Sequence, residues 1–143
     1  MDTINDQNLR IISQFLDGES YKNLRESYKH PSILLEFTNN NDLLKLLVKK
    51  WLNDKNDVIN RIGHISYWDV SYITNMSNLF YDAKLFNENI NDWNVCNVTN
   101  MDNMFYNAIF FDQSLYKWNV CNVITMEKMF FHAEVFNQDI SNW

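Results

Sequence analysis

The stretch that decides the architecture runs from Trp68 to Asn142 and divides without a gap into three lines of equal length: WDVSYITNMSNLFYDAKLFNENIND (68–92), WNVCNVTNMDNMFYNAIFFDQSLYK (93–117) and WNVCNVITMEKMFFHAEVFNQDISN (118–142). Tryptophan recurs at 68, 93, 118 and 143, in steps of 25. A fixed period in this range marks an array whose units bury their apolar faces only against their neighbours, so a lone unit is not expected to fold.

Within each unit the apolar positions suggest local conformations. Val70, Val95 and Val120 follow the tryptophans, and Ile73, Val98 and Val123 come three residues later, side chains suited to a buried strand and its exit. Met76, Leu79, Phe80 and Ala83 then stand at separations of three, four and seven, echoed by Met101, Met104, Phe105 and Ala108 and by Met126, Met129, Phe130 and Ala133. That spacing predicts a short amphipathic helix. Asn75, Asn100 and Thr125 stand where a side-chain oxygen caps its first amides. Phe86, Phe111 and Phe136 follow, then Ile90, Leu115 and Ile140, each three residues before a tryptophan. Parallel strands are therefore expected at about 64–70, 89–95, 114–120 and 139–142, and helices at about 76–83, 101–108 and 126–133. Ile65, three residues before Trp68, begins the array with a half-unit.

Outward from the array, Leu43, Leu44, Leu47 and Trp51 lie on one face of an expected helix capped by Asp42, so that 41–62 reads as a helical cap on the repeats of 63–143. Alternating Lys and Asp between Lys49 and Asp57 read as a solvated helix face. Asn39 to Asn41 form a polar break, and 1–40 is taken as a separate helical segment. In it Leu9, Ile12, Phe15 and Leu16 point inward from one helix, Asp17-Gly18 turns the chain, and a second helix carries Leu24.

The pattern W-(D/N)-V-x-x-(V/I)-x-x-M-x-x-(M/L)-F-x-x-A-x-x-F-(N/D)-(E/Q)-x-(I/L) resembles the BspA-like or DUF285 bacterial surface protein repeat, a group related to leucine-rich repeats. The resemblance implies an α/β fold: a short right-handed solenoid like that of leucine-rich repeats, with a parallel β ladder on one side and short helices on the other, preceded by an α-helical N-terminal segment. It also implies partner binding or adhesion rather than catalysis. Leu9 to Lys29 resembles the front half of an F-box at Ile12, Phe15-Leu16-Asp17, Leu24-Arg25 and Ser27, though it lacks the leading Leu-Pro and carries Tyr21 at an aliphatic position. That resemblance implies docking onto a Skp1-like adaptor of a ubiquitin ligase through Leu9, Ile12, Phe15, Leu16 and Leu24. A plain helical cap is the competing reading of this segment.

Composition narrows the function. A net charge of −6 without a cluster of Lys and Arg disfavours nucleic acid and anionic membranes. No run of apolar residues is long enough to span a bilayer, and the start MDTINDQNLR lacks the features of a secretory signal, which points to a cytoplasmic protein. A cell-surface location is the alternative if the chain is a fragment. Trp143 stands where a fourth unit would open, so either more sequence belongs there or the array ends on an uncovered face prone to end-to-end self-association.

No cofactor, metal or catalytic group is expected. His30, His64 and His132 are scattered, and the methionines after Met1 all fall on the periodic apolar face. Cys96 and Cys121 occupy one place in successive units, as two small buried thiols or, with suitable geometry, a disulfide. The expected role is protein–protein interaction. Candidate contacts are the side chains alternating with the core on the ladder face: Tyr67, Asp69, Ser71, Asp92, Asn94, Lys117 and Asn119, with Tyr72, Asn97 and Asn122 as a neighbouring row. The stacked Asn residues have a second reading, as bonds from one coil to the next.

Overall fold

Apolar residues at helical spacing, with Asp42 in the first turn and Lys50 in the last, form α1 (Asn41–Asn53), which buries Leu43, Leu44, Leu47, Val48 and Trp51. The coordinates, a computed structural model, describe residues 41–143. The candidate adaptor-docking residues Leu9, Ile12, Phe15, Leu16 and Leu24 lie outside them. Helix α2 (Lys55–Ile62) is capped by Asp54, whose carboxylate accepts from the Asp57 N–H at 3.0 Å. It ends at Gly63, where φ is 84° and the N–H returns to the Ile59 carbonyl at 3.0 Å. A 3-10 turn, Ile65–Tyr67, leads into the array.

The expected strands and helices of the array do not form. Among the described residues there is no strand, and only single parallel bridges, Asn75 to Asn100 and Asn100 to Thr125, join neighbouring units. The expectation of an α/β solenoid with a parallel β ladder is thereby corrected. Around the tryptophans the backbone bonds close on themselves: Trp93 N–H donates to Ile90 and Val98 N–H to Val95. Asn89 and Asn94 each bend the chain by accepting the amide two residues on, at 3.0 and 3.2 Å. Amides spent on such Asx turns are not available to a ladder.

The supposed helices are trains of tight turns. Leu79 donates to Met76, Tyr81 to Asn78, Ala83 to Phe80 and Phe86 to Ala83, while the alternate amides of Met76, Asn78, Phe80 and Asp82 donate to the next unit at 2.8–2.9 Å. An α-helix is interrupted because Asn78, Asp82, Asn103, Asn107, Lys128 and His132 adopt φ of 53–59°. Asn and Asp reach that left-handed region more readily than other side chains with a Cβ. The same turns recur 25 residues later, so like residues meet like. Phe80, Phe105 and Phe130 stack at 5.3 and 5.5 Å, and Phe86, Phe111 and Phe136 at 5.8 Å.

One core runs through α1, α2 and the three units. Trp51 meets Trp68 edge-on at 5.9 Å, and Asn41 accepts the amides of Thr74 and Asn75 at 3.0 and 3.1 Å, so the helices cover the first unit. Burial is deepest in the second unit, between two neighbours. In the third, Val120, Val123, Met126, Phe130 and Phe136 are only partly covered.

Candidate recognition surface

The residues picked out on the expected ladder face alternate with buried ones, since Trp68 and Val70 are buried while Tyr67 is exposed. Most are occupied with local structure. Asp69, Asn94 and Asn119 accept the amides of Ser71, Cys96 and Cys121 at 2.9, 3.2 and 3.1 Å, one Asx turn per unit. The Ser71 carbonyl accepts from the Asn97 side chain at 2.7 Å, and the Cys96 carbonyl from that of Asn122 at the same distance. Asp92 pairs with Lys117 at 2.6 Å in full view of solvent. Tyr67 stands out at 69% exposure. Cys96 is partly exposed, Cys121 is exposed, and both are free thiols rather than a buried pair.

A second set of columns joins the units through carboxylates and amides. Asn87 accepts from the Asp112 amide and the Gln113 side chain, both at 3.0 Å, and Asp112 repeats this with Asn137 and Gln138 at 2.9 Å. The Gln138 side chain, with the Asn137 amide, holds the Asp112 carboxyl below its ordinary 3.8. Asp102 does the work of two groups. Its carboxylate accepts from the Thr125 hydroxyl and from the Glu127 amide at 2.7 Å, taking over the cap that Asn75 and Asn100 supply in the earlier units. The Thr125 hydroxyl, against a partial desolvation and aided by Glu127 and Asn100, holds the Asp102 carboxyl below 3.8.

One cluster has the order of a nucleophile, base and acid: Ser66 Oγ lies 2.8 Å from His64 Nδ1, and His64 Nε2 lies 3.3 Å from Glu88. The amides around it are already used. Ser66 N–H points at the same Nδ1, and Tyr67 and Trp68 N–H donate to His64 and Ile65, leaving no pair of donors there for an oxyanion. Glu88 also pairs with Lys55. The cluster therefore ties α2 to the first unit. Among the described residues no three His, Cys, Asp or Glu side chains gather as a metal site, and no helix is long and apolar enough to cross a membrane.

Two rows absent from the sequence reading carry the exposed apolar surface. Tyr81, Tyr106 and Phe131 stack outside the core at 4.8 and 5.1 Å, one ring per unit. Four residues on, Leu85, Phe110 and Val135 are exposed by 83%, 53% and 43%, and the amides of Phe110 and Val135 donate to Lys84 and Ile109 of the preceding unit. The signal was present in the doublets Phe80-Tyr81, Phe105-Tyr106 and Phe130-Phe131, of which only one ring can enter the core at a tight turn. Because ring faces within the row are spent on each other, the row offers edges and hydroxyls. That suits a protein surface better than a sugar or base, which needs a free ring face.

No curated protein and no solved structure matches the chain. The family described as "Mycoplasma protein of unknown function, DUF285" matches residues 48–143, a span that takes in the end of α1, all of α2 and every unit of the array. The chain belongs to the DUF285 family.

Proposed function

We propose that the chain is a non-catalytic recognition module that binds a protein partner through the rows Tyr81–Tyr106–Phe131 and Leu85–Phe110–Val135. The observation that carries this reading is the repeated exposure of large apolar side chains, from 43% at Val135 to 83% at Leu85, in a protein that has a well-filled core to hold them. Apolar groups held at the surface in a repeated pattern mark an interaction site, and aromatic anchors are the side chains such interfaces favour. The net charge of −6 supports a protein rather than a nucleic acid as the partner.

The test is site-specific crosslinking: a photoreactive phenylalanine analogue at position 110, compared with the same analogue at Tyr67. Crosslinks from 110 that vanish in a Leu85→Ser, Val135→Ser background support the rows as the interface. Crosslinks only from 67 would move recognition to the face carrying Asp69, Ser71, Asp92, Asn94, Lys117 and Asn119. A finer reading makes the module a recruiting adaptor, supported by the F-box-like residues Ile12, Phe15, Leu16 and Leu24. It requires a Skp1-like protein to co-purify with the chain and to be lost on Phe15→Ala, Leu16→Ala. Adhesion at a cell surface is the alternative setting for the same binding role.

A further inference from the structure

Along the facing edges of neighbouring units the hydrogen bonds run one way. Met76, Asn78, Phe80 and Asp82 donate to the carbonyls of Asn100, Asp102, Met104 and Tyr106, and Met101, Asn103, Phe105 and Asn107 donate in turn to Thr125, Glu127, Met129 and Phe131. The equivalent donors of the third unit are Met126, Lys128, Phe130 and His132, and no backbone acceptor lies opposite them among the described residues. The carbonyls of Met126, Lys128 and Phe130 are turned inward, accepting from Met129, Phe131 and Ala133 of the same unit. This edge is a row of donors.

Next to it lies an open apolar recess of about 360 Å3, lined mainly by Met126, Met129, Phe130, Ile140 and Trp143. The indole N–H of Trp143 is buried with no acceptor, although Trp93 and Trp118 each donate theirs, at 3.0 Å, to a carbonyl 28 residues earlier. The end of the stack thus combines uncovered apolar side chains with an unsatisfied buried donor, which is costly in water.

We infer that this end face is a docking site for a polypeptide segment of the same 25-residue pattern, supplied by another protein and laid parallel to the third unit. Its alternate carbonyls meet the four donors, and its Met and Phe side chains fill the recess over Phe130 and Phe136. Main-chain bonds give the affinity and the apolar positions set the register, as in recognition by strand addition. A second copy of this chain is a poor occupant. A two-fold axis would set the donor row against itself, and the other end of the stack is covered by α1 through Asn41 and by Lys45, which reaches Ser77. The apolar lining disfavours an ion. This site is distinct from the exposed rows and does not depend on their role.

The probe is a synthetic peptide with the sequence of Asn94–Trp118, which in the native chain covers the first unit. It is added to the full chain while amide exchange is followed residue by residue. Exchange at Met126, Lys128, Phe130 and His132 is expected to slow by about tenfold or more, with little change at Met129, Phe131 and Ala133, which already donate within the unit. A free peptide must be ordered on binding, so the same segment is also appended after Trp143, where tethering raises its local concentration to the order of millimolar. Alternating protection in either form supports the site. No protection in both forms overturns it, as does equal protection by a scrambled peptide. Protection that rises with protein concentration alone would assign the face to a second copy and likewise overturn it.

Discussion

The indole N–H of Trp93 donates to the carbonyl of Ile65 at 3.0 Å, across 28 residues of sequence and inside the core. Trp118 repeats the bond to Ile90, so each tryptophan closes the hydrogen bonding of the unit before it. Trp93→Phe keeps most of the apolar volume but strands a buried carbonyl, and is expected to cost about 1–3 kcal/mol. Trp93→Ala adds a cavity and should cost about 3–5 kcal/mol. Trp143→Phe breaks no such bond and should cost less than Trp93→Phe. Urea unfolding midpoints of the three variants would check the order.

Asp102 makes stability sensitive to acid. Its folded-state carboxyl is held below the ordinary 3.8, first by the Thr125 hydroxyl, so the ionised form is favoured by folding. The resulting stabilisation is fully present above the unfolded value and is lost as pH falls through the lower folded one. Asp112 and Asp139 are shifted in the same direction, by Gln138 and by Ser141 respectively. Asp102→Asn should therefore lower the melting temperature at neutral pH and flatten its decline below about pH 4. Thermal melts from pH 7 to pH 2 read both effects, and parallel curves for the two proteins would remove Asp102 from this role.

Lys128 holds φ at 54° where the equivalent residues of the first two units are Asn78 and Asn103. The left-handed conformation costs a Lys about 1 kcal/mol that Asn partly escapes. Lys128→Asn is expected to raise stability by about 0.5–1 kcal/mol, seen as a higher melting temperature. A fall would mean that the Lys stem contributes more by packing than the backbone loses.

Phe110 is 53% exposed, so Phe110→Ser should change folding stability by less than about 0.5 kcal/mol. As a central residue of the proposed interface it should weaken partner binding by about tenfold or more. Calorimetric unfolding and titration with the crosslinked partner separate the two quantities, and unchanged affinity would remove Phe110 from the interface.

The core positions were legible in the sequence because the 25-residue period marks them three times over. Trp68, Val70, Ile73, Met76, Leu79, Phe80 and Ala83 are all buried. The conformation joining them was not legible, for a physical reason. Turns that close every three residues place Met76, Leu79 and Ala83 on one side much as a helix does, so spacing alone does not separate the two. The discriminating residues were Asn78, Asp82, Asn103 and Asn107, polar side chains tolerant of the left-handed region in what otherwise read as helix interiors. Asx turns at Asn89 and Asn94 likewise replaced the strands. The surface was misplaced for a related reason: strand alternation put weight on Asp69 and Asn94, which fold the backbone, and passed over Tyr81 and Phe110.

The hydrogen bonds from Asn97 to Ser71 and from Asn122 to Cys96 span 26 residues, and those linking Thr99 to Thr74 and Asp112 to Asn87 span 25. Such repeated offsets govern how the gene for this protein can change length. Loss or gain of one codon inside the second unit would shear several cross-unit columns at once and turn tryptophans and phenylalanines out of line. Duplication or loss of a whole unit leaves the joints on either side in step. Drift in such a protein is confined to steps of 25 codons, and its variants should differ in height rather than in the shape of a layer.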